Sequence, residues 1–94
     1  MKRLIWSQEA EDDLEALTDY IALDDVMAAI RVRDELETQI ARLQDYPFSG
    51  REGRLNGTRE LIVVRTPFVV IYKVDDVVEV LRVLHGAQRW PGPP

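Results

Sequence analysis

The period of the hydrophobic pattern changes near Thr58, and this change does most to limit the folds open to the chain. Before Thr58, apolar residues recur every three or four positions, as on one face of an α-helix. After Thr58, three runs rich in valine, isoleucine and aromatic residues are typical of β-strands. The sequence therefore predicts an α+β domain in which the helices come first and most of the strands come last.

Two helices are predicted in the first half, after a short β-like run that ends at Trp6. Ser7 is a good N-cap residue, and the buried stripe of the first helix then consists of Ala10, Leu14, Leu17 and Ile21. Asp24 or Asp25 can cap a second helix, which ends at Tyr46-Pro47. Its buried stripe consists of Ala29, Val32, Leu36, Ile40 and Leu43. Because only a few residues separate the two helices, we expect an antiparallel helical hairpin.

Three strands are predicted in the second half, at residues 58–65, 68–74 and 77–84. Asp75-Asp76 is a tight turn between the last two strands. Residues 47–57 contain three glycines and little periodicity, and they are expected to form a surface loop. The predicted order is β-α-α-β-β-β, with the helical hairpin packed on a twisted antiparallel sheet.

Composition excludes several classes of site. The 94 residues contain no cysteine and one histidine, which excludes disulfides, thiol catalysis and Cys- or His-rich metal centres. We therefore expect no metal and no cofactor. No apolar stretch is long enough for a signal peptide or a membrane span, so a cytoplasmic protein without membrane contact is expected.

Charge is distributed unevenly along the chain. Residues 1–49 carry five basic and twelve acidic side chains, whereas residues 50–94 carry seven basic and five acidic ones. The net charge of −5 disfavours general nucleic-acid binding. The basic half could instead face a polyanion or an acidic peptide.

The polar residues in and after the strands are the candidates for function. Arg59, Arg65 and Arg82 interrupt apolar β runs. They either point to solvent or to a neighbouring acid, or they form a shared basic surface for a phosphate or a carboxylate. His85 ends the last strand and could act as a general acid or base, although no acidic residue lies beside it in sequence. A contact surface at this end would consist of Arg59, Arg65, Arg82, His85, Gln88, Arg89 and Trp90.

Three segments together resemble the RelE/ParE superfamily, the toxins of bacterial type II toxin–antitoxin modules. They read "DLEALTDYIA", "YPFSGREGRLNGTRELIVVRTPFVVIYKV" and "VLHGAQRWP". The resemblance runs from Ile5 to Pro91, which implies a single toxin domain at residues 1–91 and a disordered tail at 92–94. It also implies a cognate antitoxin whose disordered C-terminal segment wraps the toxin, and DNA binding only through that antitoxin in a hetero-oligomer. We expect an amphipathic acidic antitoxin segment in a groove formed by Leu14, Leu17, Ile21, Leu36 and Ile40.

Two growth-inhibiting activities occur in this superfamily. RelE-like members cut mRNA on the ribosome, and ParE-like members poison DNA gyrase. The RelE-like pattern has paired lysines where this chain has Arg59 followed by Glu60, an arginine where it has Val69, and a tyrosine near the C-terminus, whereas no tyrosine follows Tyr72 here. The resemblance therefore favours a ParE-like gyrase inhibitor that acts by binding and not as an enzyme.

Two alternatives stay open. The first is a RelE-like, ribosome-dependent mRNA endonuclease, whose candidate catalytic residues are Arg59, Arg65, Arg82, His85 and Gln88. The second is a chain that binds its antitoxin and has lost its toxicity.

Overall fold

Both predicted helices are present, and each begins at a side chain that caps its first turn. The computed structural model describes residues 1–92. Helix α1, Gln8–Ala22, starts after Ser7, whose hydroxyl accepts a hydrogen bond from the Ala10 amide at 3.0 Å. Helix α2, Val26–Ala41, starts after Asp25, whose carboxylate accepts from the Ala28 amide at 3.0 Å. A 3₁₀ turn, Arg42–Gln44, then ends the helical part. None of the described helices is long and apolar enough to cross a membrane.

The strands form one five-stranded sheet in the order β1-β5-β4-β3-β2. Their bounds are β1 Arg3–Trp6, β2 Arg51–Glu52, β3 Arg59–Ile62, β4 Phe68–Val74 and β5 Val77–His85. Strands β2 to β5 pair antiparallel, as predicted for the three long runs.

The sheet as a whole corrects the prediction in two ways. It is mixed and not purely antiparallel, because β1 pairs parallel with β5. These strands lie at opposite ends of the chain, so no turn motif in the sequence records their pairing. The predicted loop at residues 47–57 also contains β2, whose two residues are too few to produce a periodic pattern.

The core lies between the helices and one face of the sheet, and the other face is called the outer face below. The buried core residues include Leu36 and Ile40 of α2, Leu43 of the 3₁₀ turn, and the sheet residues Val63, Val70, Tyr72, Val78 and Val80. The predicted helix stripes are correct in direction, since Ala10, Leu14, Ala29, Leu36 and Ile40 are all buried. The proposed tail at residues 92–94 lies mostly outside the described residues and stays a prediction.

Tyr72 links the core to the loop before β2. Its hydroxyl donates to the Pro47 carbonyl at 2.8 Å and accepts from the Gly50 amide at 2.9 Å. A Cβ atom on Gly50 would come within 2.6 Å of the Tyr72 oxygen and 2.8 Å of the Glu60 carbonyl oxygen. Glycine is therefore required at this position to let the loop approach the sheet.

Candidate functional site

The three arginines predicted on strands do not form one shared surface. Residues directly opposite each other on neighbouring strands share a face of the sheet. Arg59 lies opposite Tyr72, whose side chain is in the core, whereas Arg82 lies opposite Ile71, the next residue along β4. Because successive side chains alternate between faces, Arg59 and Arg82 lie on opposite faces. The predicted basic cluster is therefore divided by the sheet.

Arg82 is held by Asp13 of α1. Its guanidinium donates to the two carboxylate oxygens of Asp13 at 2.7 and 3.1 Å. These hydrogen bonds raise the pKa of Arg82 above its usual value, against the opposing effect of burial. The same carboxylate accepts from the Val83 amide at 2.9 Å. Asp13, which sequence reasoning missed, therefore joins α1 to β5 and neutralises Arg82.

Arg65 is paired in the same way with Glu35 of α2, through two hydrogen bonds of 3.0 Å. The hydrogen bond from Arg65, followed by that from Gln39, lowers the pKa of Glu35 below its usual value. Gln39 also donates to the Val64 carbonyl at 2.9 Å and accepts from the Val64 amide at 3.0 Å. These contacts fix the turn between β3 and β4 to α2.

Arg59 binds the loop before β2. Its guanidinium donates to the Gly50 carbonyl at 3.0 Å and the Phe48 carbonyl at 3.3 Å, and it lies 5.3 Å from the centre of the Phe48 ring. All three arginines thus have partners within the chain, although Arg65 lies in the turn after β3 and not on a strand as predicted. Arg65 and Arg82 agree with the alternative of pairing to an acid, whereas Arg59 bonds backbone carbonyls.

The outer face contains a buried carboxylate that the sequence did not reveal. Glu60 is 2% exposed, and its carboxylate accepts from the Arg51 guanidinium at 3.0 Å and from the Arg54 amide at 3.0 Å. The Arg54 guanidinium lies 3.8 Å away. Burial alone would raise the pKa of Glu60, but the hydrogen bonds from Arg54 and Arg51 outweigh it, and the pKa is lowered overall. Two further arginines therefore share one carboxylate on this face, which balances the charge of one of them.

Around Glu60 the outer face is mostly aliphatic. Ile62 lies opposite Val69 and is 55% exposed, while Ile71 and Leu84 are buried. The segment after β5 folds over this region, because Arg54 donates to the Trp90 carbonyl at 3.0 Å and the Arg82 guanidinium lies 5.8 Å from the Trp90 ring. The Trp90 indole N–H is buried and has no acceptor among the described residues.

His85 and Gln88 close the turn that ends β5. The His85 amide donates to the Gln88 side-chain oxygen at 3.3 Å, and the Gln88 amide donates to the His85 carbonyl at 2.9 Å. His85 Nδ1 accepts from the Ala87 amide at 3.1 Å, and the ring packs edge-on against Phe68 with centres 5.8 Å apart. Within residues 1–92, no carboxylate is hydrogen-bonded to His85, and no three acidic or histidine side chains are grouped to hold a metal.

An apolar groove of about 510 Å³ lies between α1 and the adjoining ends of β4 and β5. We call it the α1–β5 groove. It is lined by Asp13, Ala16, Leu17, Tyr20, Ile21, Val32, Pro67, Phe68, Val83, Leu84, His85 and Gln88.

The α1–β5 groove corrects part of the predicted antitoxin surface. Leu17 and Ile21 line it, but Leu36 and Ile40 are fully buried in the core and Leu14 is 7% exposed. Leu36 and Ile40 belong to α2 and face the core. Leu14 lies on the other flank of α1, because the groove borders the face of α1 that carries Ala16 and Tyr20. Helical periodicity identifies the buried stripe but does not show which edge of that stripe stays open.

Residues 4–90 match the family model described as the ParE toxin of the type II toxin-antitoxin system, parDE. The chain belongs to the ParE toxin family. It is 40% identical over 90 residues to Y4kP of Sinorhizobium fredii, covering 96% of this chain and 94% of that one. It is 37% identical over 89 residues to the toxin RelE2 of Caulobacter vibrioides, covering 94% and 99%.

A solved structure described as the chromosomal ParDE toxin–antitoxin system from P. aeruginosa has the same fold. The TM-score is 0.81 at 28% identity, with 90% of this chain and 96% of that chain covered. These matches confirm the RelE/ParE superfamily and the α+β fold expected from the sequence. This ParE-family chain is therefore a type II toxin of that superfamily.

Proposed function

We propose that this ParE-family toxin inhibits DNA gyrase by binding to it and is neutralised by a cognate antitoxin. The observation that carries the proposal is that the cations on the outer face contact carboxylates of the same chain. Arg51 and Arg54 contact Glu60, Arg82 contacts Asp13, and Lys73 lies 3.4 Å from Glu79. The rest of this face is largely aliphatic. It is better suited to contact with a protein than to reaction with RNA.

A ribonuclease needs groups that move a proton and stabilise a developing phosphate charge, and each commonly contributes about 10²-fold or more to the rate. Of the five candidate residues, Arg65 and Arg82 are bound to carboxylates and Arg59 to backbone carbonyls. His85 and Gln88 are hydrogen-bonded within one turn. These contacts would have to break before the residues could act on a phosphate, which supports a protein that does not cleave RNA.

The antitoxin partner is supported by the structural relative, which is itself a toxin–antitoxin system. The α1–β5 groove offers an apolar surface for such a partner. Leu17 and Ile21 line this surface, whereas Leu36 and Ile40 are fully buried and cannot contact the partner. In this proposal the toxin contacts DNA only through the antitoxin, and it acts in the cytoplasm.

The ribosome is the alternative target, favoured by the 37% identity to a relative named RelE2. One pair of assays separates the two activities: supercoiling by purified gyrase, and cell-free translation with mapping of mRNA ends. We expect the toxin to inhibit supercoiling while translation continues and the mRNA stays intact. Cleavage of ribosome-bound mRNA with normal supercoiling would refute the gyrase proposal. A chain that is inactive in both assays but binds its antitoxin would be a toxin that has lost its activity.

A further inference from the structure

The loop between β2 and β3 carries the only asparagine of the chain. Asn56 is followed directly by Gly57, and both residues are exposed. Among the described residues, the Asn56 side chain and the Gly57 amide have no hydrogen-bond partner. A Cβ atom on Gly57 would have no other atom within 4 Å, so the surroundings of this pair are open. The two groups are therefore free to react with each other.

An asparagine that precedes a glycine can lose its side-chain amide by attack of the glycine nitrogen. At this position the Gly57 nitrogen forms a bond to Asn56 Cγ, the bond from Cγ to Nδ2 breaks, and ammonia leaves with the proton that the Gly57 nitrogen gives up. The product is a five-membered succinimide ring. Water then opens the ring at one of its two carbonyl carbons, which yields aspartate or isoaspartate. Glycine favours the attack because it has no Cβ and its backbone rotates freely.

A turn holds Asn56 out of the geometry that ring closure needs. The Thr58 amide and the Thr58 hydroxyl both donate to the Leu55 carbonyl, at 3.1 and 2.7 Å. Gly57 has a φ of 82°, and Arg65 is the one non-glycine residue with a positive φ in the described part of the chain. Asn56 and Gly57 are thus the central residues of a type II turn, where ψ of the first is about +120°. This angle directs the Gly57 nitrogen away from the Asn56 side chain.

We propose that Asn56-Gly57 is a deamidation site whose rate is set by opening of the Leu55–Thr58 turn. The ring closes only after the peptide group between the two residues rotates, and the two bonds to the Leu55 carbonyl oppose that rotation. Gly57 tolerates the rotated backbone, since glycine adopts positive and negative φ about equally well. The reaction requires water alone and depends neither on an antitoxin nor on the toxin's target.

Deamidation alters the loop that supplies a partner to Glu60. The Gly53 amide donates to the Thr58 carbonyl at 2.7 Å, and the Arg54 amide donates to the Glu60 carboxylate at 3.0 Å. Isoaspartate at position 56 adds one carbon atom to the main chain inside the loop that the first of these bonds closes. The amide hydrogens of Gly53 and Arg54 should therefore exchange faster in the isoaspartate form than in the unmodified toxin.

Incubation of the purified toxin followed by mass spectrometry tests the proposal. Trypsin cleaves after Arg54 and Arg59, which isolates Asn56 in a peptide of residues 55–59. We expect this peptide to change from the amide to the acid over days, with isoaspartate among the products. The change should be faster at higher pH, because the attacking nitrogen must lose its proton. Toxin unfolded in urea should deamidate faster than folded toxin, because the turn is then absent.

Matched variants separate the turn from a general loosening of the fold. Thr58→Val removes the hydroxyl bond to Leu55 and should speed deamidation of the folded toxin about two- to tenfold, the factor by which one neutral hydrogen bond shifts an equilibrium. Thr66→Val removes the corresponding bond to the Val63 carbonyl at 2.9 Å, beyond the other end of β3, and should leave the rate nearly unchanged. Asn56→Gln keeps an amide but needs a six-membered ring, so this variant should stay intact.

Three results would overturn the proposal: an intact peptide 55–59 after prolonged incubation of the folded toxin, equal rates in folded and unfolded toxin, and equal acceleration by the two valine variants. Circular dichroism of each variant establishes that it is folded. Products that contain aspartate without isoaspartate would also contradict the ring mechanism, because direct hydrolysis of the side chain gives aspartate alone.

Discussion

At the scale of single residues, the stability of the outer face depends on Glu60. Its carboxylate is almost completely buried and is bound by two arginines that are about half exposed. A buried carboxylate is tolerated only when its oxygens are hydrogen-bonded, and here the Arg54 amide and the Arg51 guanidinium supply those bonds. The lowered pKa of Glu60 means that the folded state favours its charged form.

Replacement of Glu60 by glutamine should destabilise the protein by about 1–2 kcal/mol at pH 7, because charge-assisted hydrogen bonds are lost while shape is kept. A group whose pKa is lowered on folding stabilises the protein above its unfolded pKa, about 4.3, and this contribution is lost as the pH falls through the lower folded pKa. The difference in unfolding free energy between wild type and Glu60→Gln should therefore shrink on acidification. Urea unfolding at pH 7 and at several acidic pH values measures it.

Glu52→Gln is the matched control for that experiment, since Glu52 is exposed on the edge strand β2. We expect a change within about 0.5 kcal/mol, as for most surface substitutions. A pH-independent difference between wild type and Glu60→Gln would contradict the assignment of the stabilisation to the ionised carboxylate.

Tyr72 gives a second prediction at this scale. Tyr72→Phe removes the hydroxyl that bonds the Pro47 carbonyl and the Gly50 amide, and the buried amide then has no acceptor. The expected loss is about 1–3 kcal/mol in urea unfolding. Tyr20→Phe removes a hydroxyl from a side chain that is 76% exposed and should have little effect. A similar small loss from both variants would show that the hydroxyl of Tyr72 does not anchor the loop.

At the scale of elements, side chains of the helices complete the edges of the sheet. Gln39 of α2 bonds both backbone groups of Val64 beyond the end of β3, and Asp13 of α1 bonds the Val83 amide of β5. Both contacts occur where a strand has no neighbouring strand to pair with. The helical hairpin thus covers one face of the sheet and also satisfies backbone groups that would otherwise be unpaired.

Loss of the Asp13 contacts should loosen α1 from β5. Asp13→Ala removes the bonds to Arg82 and to the Val83 amide, and we expect it to cost about 1–3 kcal/mol because a backbone donor and a partly buried guanidinium lose their acceptor. Hydrogen exchange of the Val83 amide should accelerate more than that of Val70 in the centre of the sheet. The neighbouring substitution Asp12→Ala is the control. If both variants exchange alike, Asp13 does not hold the edge.

The sequence predicts those parts of the fold that depend on neighbours in the chain. The N-cap at Ser7, the two buried stripes and the antiparallel pairing of the last three strands all follow from local period and turn residues. The parallel pairing of β1 with β5 does not, because it joins residues more than 70 positions apart. Local patterns carry no record of such a contact.

The candidate site was predicted less well than the fold, for the same reason. Arg82 is recognisable as a polar residue in an apolar strand, but its partner Asp13 is 69 residues away on a helix with six acidic side chains. Nothing in the sequence distinguishes that carboxylate from its neighbours. In the sequence Glu60 stands out only as the residue after Arg59 where the RelE-like pattern has a lysine. Its burial depends on Arg51, Arg54 and the segment that carries Trp90.

At the scale of the whole molecule, the charges determine which macromolecules the toxin can approach. The net charge is −5, and the six residues that give α1 its charge are all acidic. Of the basic residues in the second half, Arg51, Arg54, Arg65, Lys73 and Arg82 are paired with carboxylates. Long-range electrostatics therefore repel nucleic acid and favour a basic protein surface. If the toxin inhibits gyrase, as proposed, it should therefore act on the enzyme and not on its DNA.

Repulsion between the toxin and DNA predicts how inhibition depends on the concentrations of DNA and gyrase. At a fixed amount of toxin, a tenfold increase in DNA should leave the inhibited fraction of supercoiling nearly unchanged, whereas an increase in gyrase should restore activity. Non-specific DNA binding depends on cations that contact phosphate and has typical Kd values of about 10⁻⁴–10⁻⁶ M. Because most of these cations are paired in the toxin, the free toxin at about 10 µM should leave duplex DNA unshifted in gel-shift assays at about 0.15 M salt. Relief of inhibition by added DNA, or a shift by the free toxin, would instead place DNA on the toxin's own surface. The pairing of five cations makes that outcome unfavourable. Their nitrogen atoms lie 2.7 to 3.8 Å from carboxylate oxygens of the chain, and a phosphate would have to compete with these carboxylates for each contact.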